Sequence, residues 1–525
     1  MINVVVVEDK HPILRSIVRK IENYSPDLNI AGQFTDGRSA LQAIKQLKPH
    51  LVFTDIRMPG IDGLKLIAEV KALAPETTFI IISGHEEFDY ARQAIQLGVV
   101  EYLLKPVTEQ SIRDILDKTV PSILMNKQAA EYRIISHAIK RWSSPSQVEY
   151  EDLSYESFFV MLICAGSLSK LFIDVANPLH DIWLRTDLKA LLSARFPSLQ
   201  PYWIMDGESM NEAVIVFSST REQAIDLQAI ANYLMEKLSH SNIPATVAIS
   251  NRVITLSKLK LEYQITRTAL RKYLLFGQSS IVFAEDVKWH SPHEPLRKQI
   301  YDEQKLVSLF KGRKKKLFFM EIESMLQSWE MSGMTQNAIE DCLYQILYAC
   351  SKSIVGKPPT DSDLKLELDE VISISNDYPS LLRNTSFLFE NVFLQIEHTE
   401  PSPKIVKDIM EQVDAYFQRH MSDEISVNDI ADRVNLNLSY LSREFKKYKG
   451  ITPIEYLTQL RIDKAKQLLA DESNLKFKDI APLVGFSNQY YFSRVFKFIT
   501  GITPTEYKNS RFKITASEYN KSTIE

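Results

Sequence analysis

Val4-Val5-Val6-Val7-Glu8-Asp9 sets four β-branched apolar residues in an unbroken row and ends them in two acids. A run with no polar alternation suits a strand buried on both faces. Comparable runs recur at residues 51–53, 79–82 and 102–104, with a weaker one at Leu28–Phe34. Between them apolar residues return at helical spacing: Ile13, Ile17 and Ile21; Leu41, Ile44 and Leu47; Leu64, Ile67 and Val70; then Ala91, Ala94 and Ile95, with Gly98 as a stop. Strand and helix in alternation through residue 122 predict a doubly wound α/β domain on a five-stranded parallel sheet.

Ligands of such sheets gather at the carboxyl ends of the strands. Glu8 and Asp9 end the first predicted strand, Asp55 the third, Ser83 the fourth and Lys105 the fifth. Three carboxylates in one crevice repel one another unless a cation joins them, and hard oxygen ligands with room for water suit Mg²⁺. A carboxylate beside Mg²⁺ can attack a phosphoryl group while the metal and a lysine neutralise the transferring oxygens. The hydroxyl of Ser83 can donate to the same group. Any one strand-end acid commonly does no more than face water. Five polar residues at the proper ends of four strands argue for chemistry.

This segment resembles the receiver domain of two-component response regulators. The resemblance rests on Val-Glu-Asp at 7–9, Thr-Asp-Ile-Arg-Met-Pro-Gly-Ile-Asp-Gly at 54–63, Ile-Ile-Ser-Gly at 81–84 and Glu-Tyr-Leu-Leu-Lys-Pro at 101–106. It implies that Asp55 accepts phosphate from a sensor histidine kinase. It implies Mg²⁺ held by Asp9, Asp55 and the backbone carbonyl of Arg57, with Glu8 acting through water. Ser83 and Lys105 would read the phosphoryl oxygens, Tyr102 would reorient on activation, and the Lys105–Pro106 bond would be cis. Phosphorylation would favour a homodimer.

The far end of the chain is a duplication. Asp429-Ile430-Ala431 recurs as Asp479-Ile480-Ala481. Tyr440-Leu441-Ser442-Arg443-Glu444-Phe445-Lys446 recurs as Tyr491-Phe492-Ser493-Arg494-Val495-Phe496-Lys497, and Gly450-Ile451-Thr452-Pro453 as Gly501-Ile502-Thr503-Pro504. The offset is 50 before the turn and 51 after it, so one extra residue sits in the second copy's turn. Turns absorb insertions and packed helices do not, which predicts two helix-turn-helix units. Ser426 is placed to cap the first helix of the first copy, and Asn437 and Asn488 the second helices. Asn435 and Gly485 suit the left-handed backbone of the turns. Leu441 and Phe445, like Phe492 and Phe496, should face inward. Ser439, Ser442, Arg443, Lys446 and Lys447 should face out, as should Gln489, Tyr490, Ser493, Arg494 and Lys497. Arginine reads guanine bidentately, glutamine reads adenine, and lysine pairs with phosphate. Pro482 inside the first helix of the second copy removes a backbone bond and should weaken it.

The duplicated segment resembles the AraC-type DNA-binding domain, an all-α pair of helix-turn-helix units joined by a linker helix near residues 454–469. The resemblance implies two recognition helices entering major grooves of double-stranded DNA about one turn apart. Carried over by position, the base readers would be Ser439, Ser442 and Arg443, then Gln489, Tyr490 and Arg494, with Lys446 and Lys497 beside them. RNA polymerase would be the further partner.

The middle of the chain says less. Residues 129–142 form an amphipathic connector with Tyr132, Ile135, Ala138, Ile139 and Trp142 on one side. It could extend the receiver's last helix and pair between subunits, or pack on its own chain. Strand-like runs lie at 158–163, 213–217 and 245–250, with helical stretches between, and Ile249-Ser250, residues 263–274 and Ile281-Val282-Phe283 loosely resemble degenerate cyclase-like modules of transcription regulators. The signature Gly-Gly-Asp/Glu-Glu-Phe is absent, so no catalysis is implied. A helical region follows, broken near 356–363, and the basic run 311–316 should be a solvated helix face. The expected organisation is a receiver at 1–122, a helical connector at 123–151, an α+β middle module at 152–290, a helical region at 291–400 and the DNA-binding domain at 404–511. The whole order resembles YesN-type response regulators.

Composition agrees. A length of 525 residues suggests three or four domains, and 45% hydrophobic with 24% charged residues excludes wholesale disorder. Three cysteines, Cys164, Cys342 and Cys350, argue against a disulfide scaffold. No run approaches the roughly 20 apolar residues of a membrane helix and no signal peptide is evident, so a cytoplasmic protein without membrane contact is expected. The net charge is −4, but residues 404–513 carry 18 basic against 14 acidic side chains, a net +4, leaving −8 on the remainder. A basic end on an acidic chain fits nucleic-acid contact. The favoured expectation is therefore a phosphorylation-controlled DNA-binding regulator rather than an enzyme. A nucleotide-processing middle module is the alternative, and a receiver that is never phosphorylated is a third.

Overall fold

The computed structural model describes residues 2–84, 88–140, 153, 155–168, 182–199, 201–219, 225–239, 243–253, 255–286, 301–353, 360–397, 403–423, 425, 427–434, 436, 438–471, 475, 477–486 and 489–508. It divides into two compact units, Met1–Ile135 and Ser136–Glu525.

The first unit alternates β1 (Ile2–Val7), α1 (His11–Glu22), β2 (Leu28–Phe34), α2 (Gly37–Leu47), β3 (Leu51–Asp55), α3 (Gly63–Leu73), β4 (Thr78–Ser83), α4 (Phe88–Gln96), β5 (Glu101–Leu104) and α5 (Glu109–Lys140). The strands lie in the order β2-β1-β3-β4-β5, all parallel. The valine run explains the two layers. Val4 and Val6 pack with Leu14, Ile17 and Ile21 of α1 and Ile112 and Leu116 of α5, while Val5 and Val7 pack with Leu41 and Ile44 of α2 and Leu66 and Ile67 of α3. Successive side chains of a strand point to opposite faces, so a strand covered on both must be apolar throughout.

The motif around Asp55 has local structural causes. Asp62 caps α3 by accepting from the Lys65 backbone N–H at 2.7 Å. Gly63 follows because there is no room for more: a Cβ there would lie 2.1 Å from the Asp55 carbonyl oxygen. Gly98 ends α4 with φ +69, in the left-handed region that a helix stop requires.

In the second unit, β6 (Ser157–Ala165), α6 (Ile182–Arg185), α7 (Leu188–Arg195), β7 (Tyr202–Asp206), β8 (Glu212–Ser219), α8 (Leu227–Ser239), β9 (Ala245–Ile249), α9 (Leu259–Tyr273) and β10 (Ser280–Phe283) form a mixed α+β layer. The sheet order is β10-β9-β6-β8-β7, parallel only between β10 and β9. β6, β8 and β9 match the three predicted runs, and β10 covers Ile281-Val282-Phe283. β7 was not predicted, since Tyr202-Trp203-Ile204-Met205 lies on an edge and alternates buried with half-buried residues of one apolar character.

A helical stretch follows: α10 (Glu303–Lys311), α11 (Lys315–Ser332), α12 (Gln336–Ser351), α13 (Asp361–Ser373) and α14 (Tyr378–Glu397). Phe310, Phe318, Phe389 and Phe393 meet in its core, and Thr360 and Asp363 form a reciprocal cap at the start of α13. The basic run 311–316 is exposed but is not one helix face. It crosses the turn from α10 to α11, where Gly312 and Arg313 break the helix.

The chain continues through α15 (Pro403–His420), α16 (Val427–Arg433), α17 (Leu438–Lys449), α18 (Pro453–Asp471), α19 (Phe477–Leu483) and α20 (Gln489–Thr500). The duplicated words become duplicated structure. Thr452 and Glu455 cap α18 reciprocally at 2.8 and 3.3 Å, and Thr503 and Glu506 repeat the arrangement at 2.7 and 3.2 Å. Leu441, Phe445, Phe492 and Phe496 are buried as expected. Pro482 lies inside α19, one residue before its end, and the helix forms despite the backbone bond that the proline removes. The proposed caps Ser426, Asn437 and Asn488, the turn residue Asn435 and the connector residue Trp142 lie outside the described residues.

Replacing Gly63 by alanine should force the Asp55 carbonyl and α3 apart and cost about 1–3 kcal/mol. Thermal unfolding of Gly63→Ala should show a lowered midpoint; an unchanged midpoint would contradict the close approach.

Candidate functional site

The parallel sheet delivers its strand-end residues to one crevice. Glu8 is fully buried, Asp55 and Ser83 nearly so, and Asp9 and Lys105 are half-buried. One carboxylate oxygen from each of Glu8, Asp9 and Asp55 falls within 4.8 Å of the others. The Lys105 ammonium enters this cluster and pairs with Asp55 Oδ2 at 2.7 Å and with Glu8 Oε2 and Oε1 at 2.7 and 2.9 Å. Asp55 Oδ1 accepts from the Ile56 backbone N–H at 2.7 Å and from that of Arg57 at 3.4 Å. The phenotype of such a cluster is visible in its acidities. Burial raises the Glu8 carboxyl above its ordinary value, against the pull of Lys105. Burial would lower Lys105, but its hydrogen bonds to Asp55 and Glu8 outweigh that and hold it raised.

The remaining receiver residues take their places around it. Ser83 ends β4, one step past the pairing of Asp55 with Ile82, and its carbonyl accepts from the Lys105 N–H at 2.8 Å. The Lys105–Pro106 bond is cis. Arg57 is exposed, with its guanidinium 5.8 Å from the centre of the Tyr90 ring. Tyr102 is half-buried on β5 against the α3-side cluster. Glu8, whose expected role toward Mg²⁺ is through water, also touches Lys105 directly.

The second set of predicted residues lies on α17 and α20. Gly485 makes the turn before α20 with φ +81, and a Cβ there would meet the Met421 carbonyl at 2.4 Å and Arg461 Nε at 2.8 Å. Arg461, on the linker helix α18, is buried and donates to the carbonyls of Met421 and Asp423 at 2.7 and 2.8 Å. Ser422 adds a bond to the Leu483 carbonyl at 2.9 Å. These contacts tie the loop that leads into the first helix-turn-helix to the linker and to the second unit. Sequence reasoning passed over Arg461, because one arginine on a mixed helix carries no spacing signal.

Lys446, Gln489, Ser493, Arg494 and Lys497 are partly exposed, and Lys447 is exposed. The side chains of Ser439 and Tyr490 lie outside the described residues. Two expectations need correction: Ser442 and Arg443 do not face out, being 2% and 5% exposed. The reason is that α13 packs on α17. Arg443 Nη1 lies 3.6 Å from Glu367 Oε1, its Nε donates to Glu444 at 3.0 Å, and Ser442 hydrogen-bonds Glu370. On α20, Arg494 Nε lies 3.1 Å from Asp206 Oδ1 at the end of β7. Burial lifts the Glu367 carboxyl to about 7 and that of Glu370 to about 8. Glu367, Glu370 and Asp206 could not be found from the sequence, since each meets a partner far along the chain.

Residues 4–117 match the family described as the response regulator receiver domain, and residues 430–510 match a helix-turn-helix domain family. The chain is 38% identical over 123 residues to YesN of Bacillus subtilis, named as an uncharacterized transcriptional regulatory protein; the alignment covers 23% of this chain and 33% of that one. It is 30% identical over 184 residues to an uncharacterized response regulatory protein of Staphylococcus epidermidis, covering 34% of this chain and 70% of that one. Among solved structures it is similar to the receiver domain of AraT, a response regulator from Geobacillus stearothermophilus, at 29% identity over 24% of this chain and 98% of that one, with a TM-score of 0.23. The chain therefore belongs to the response regulators, with a receiver domain at its start and an AraC-type helix-turn-helix domain at its end. Its match spans about a third of the length of YesN.

Proposed function

We propose that this chain regulates transcription as a DNA-binding response regulator in which phosphorylation of Asp55 by a sensor histidine kinase controls dimerisation and sequence-specific binding. The observation that carries the reading is the crevice itself: three carboxylates within 4.8 Å of one another, with Lys105 bridging two of them, on a chain that also holds a duplicated helix-turn-helix.

An all-oxygen donor set of this kind fits a hard divalent cation, and Mg²⁺ would be held by Glu8, Asp9, Asp55 and the carbonyl of Arg57. When bound, it supplies charge neutralisation for the transferring phosphoryl oxygens. The chain's own part is positioning. The Ile56 N–H fixes the Asp55 carboxylate, one oxygen of which attacks phosphorus. The bond from phosphorus to the donor's leaving atom breaks, and that atom keeps the electron pair. Lys105 turns an N–H from Asp55 to a phosphoryl oxygen, and the Ser83 hydroxyl donates to another. Drawing Ser83 inward lets Tyr102 follow, which reshapes the α4–β5–α5 face and favours pairing of two copies. A dimer presents four helix-turn-helix units, so avidity raises affinity with no new contact.

In this reading residues 1–122 receive the signal, 123–151 connect, 152–290 and 291–400 form a non-catalytic middle, and 404–511 read DNA and meet RNA polymerase. The chain does no chemistry beyond accepting the phosphoryl group. Among the described residues no helix is long and apolar enough to cross a membrane, and this reading places the chain in the cytoplasm beside its DNA target.

Two outcomes are expected. Asp55→Asn should take up no label from radiolabelled acetyl phosphate, and EDTA should stop labelling of the unmodified chain; label on the mutant would overturn the assignment. With phosphodonor and Mg²⁺ present, Arg494→Ala should weaken specific DNA binding by about 1–3 kcal/mol. Unchanged affinity in a titration would remove Arg494 from the reading surface.

A further inference from the structure

Both helices assigned to DNA reading are engaged by acidic side chains from the middle of the same chain. On α17, Arg443 and Glu367 are 5% and 6% exposed and lie 3.6 Å apart. Glu370, one turn along α13 from Glu367, takes the hydroxyl of Ser442, and Glu444 of α17 completes the arginine's surroundings at 3.0 Å. On α20, Arg494 meets Asp206 at 3.1 Å. Apolar packing reinforces the polar contacts: Ile480, Val484, Phe492 and Phe496 belong to one continuous cluster with Ile215, Phe217 and Val247 of the sheet.

A carboxylate facing an arginine fork satisfies the donors that a phosphate or a guanine edge would otherwise take. A helix covered along this face also cannot enter a major groove, which must surround the reading side chains. The two arrangements therefore exclude each other.

We propose that α13, through Glu367 and Glu370, and the end of β7, through Asp206, form an interaction surface whose partner is the chain's own pair of reading helices, so that the structure is a closed state competing with DNA. This rests on the DNA-binding reading of α17 and α20. Its consequence is quantitative. Apparent affinity for DNA is the intrinsic affinity scaled by the open fraction, so weakening the cover tightens binding without touching the reading face. Burial also makes Glu367 and Glu370 weaker acids than exposed glutamates, as expected for carboxyls that give up solvent to make this contact.

The test uses the full chain and labelled mixed-sequence duplex DNA. The triple variant Glu367→Gln, Glu370→Gln, Asp206→Asn should bind about tenfold tighter than the parent. A control that neutralises three acids elsewhere, Glu236→Gln, Glu321→Gln and Glu390→Gln, should not, which separates opening from a general loss of negative charge. Equal affinity of the triple variant and the control overturns the proposal and leaves DNA binding standing. Should the triple variant fail to fold, hydrogen exchange of the unmodified chain replaces it: saturating DNA should raise deuterium uptake over residues 361–373, and unchanged uptake with DNA bound overturns the proposal. Absence of any duplex binding by parent and variants would overturn the DNA-binding reading and this inference together.

Discussion

Three carboxylates brought within 4.8 Å at the ends of buried strands repel one another, and one lysine offsets that by bridging two of them. Lys105 pairs with Glu8 and Asp55 at once, and everything around it is arranged to make that pairing possible. The valine run drives β1 into the sheet centre and carries Glu8 with it out of water. The pairing of β3 with β4 and of β4 with β5 sets Asp55, Ser83 and Lys105 side by side. Asp62 and Gly63 bring α3 against the Asp55 carbonyl. The cost of gathering like charges in low dielectric is offset by the ammonium, and an incoming cation or phosphoryl group changes that balance. A crevice held by opposed charges is a natural place for a switch.

At the other end of the chain the same logic appears with the signs exchanged. Arginines on two helices are met by carboxylates from α13 and β7, and the linker arginine Arg461 holds the loop before α16 through the Met421 and Asp423 carbonyls while its guanidinium lies 5.8 Å from the centre of the Phe486 ring in the second unit. In the proposed closed state, what changes is the partner of these two helices, so a modest change in charge or assembly would alter DNA access without remodelling the helix-turn-helix fold.

Much of this was legible in the residues. Buried strands announce themselves because nothing polar interrupts them, and the acids and lysine that end them stand out against that background. The duplication was legible because two copies of one pattern check each other, down to the turn at Gly485. What stayed hidden has a common physical character. β7 escaped because its buried face and its half-buried face are both apolar, so its sequence shows no contrast between them. The burial of Ser442 and Arg443 escaped because helical spacing tells which face is polar, not what covers it, and Glu367 lies more than a domain's turn of chain away in sequence. Arg461 escaped because its partners are backbone carbonyls, which every sequence supplies.

The central claim is that phosphate at Asp55 changes how the two reading helices engage a duplex. It is tested most directly by titrating labelled DNA with the full chain in Mg²⁺, with and without beryllofluoride as a stable stand-in for the phosphoryl group, while recording assembly state by light scattering. The account predicts tighter binding and a shift toward dimer when beryllofluoride is present. Identical affinity and identical mass in the two conditions, with the fluoride complex shown to be bound, would contradict it.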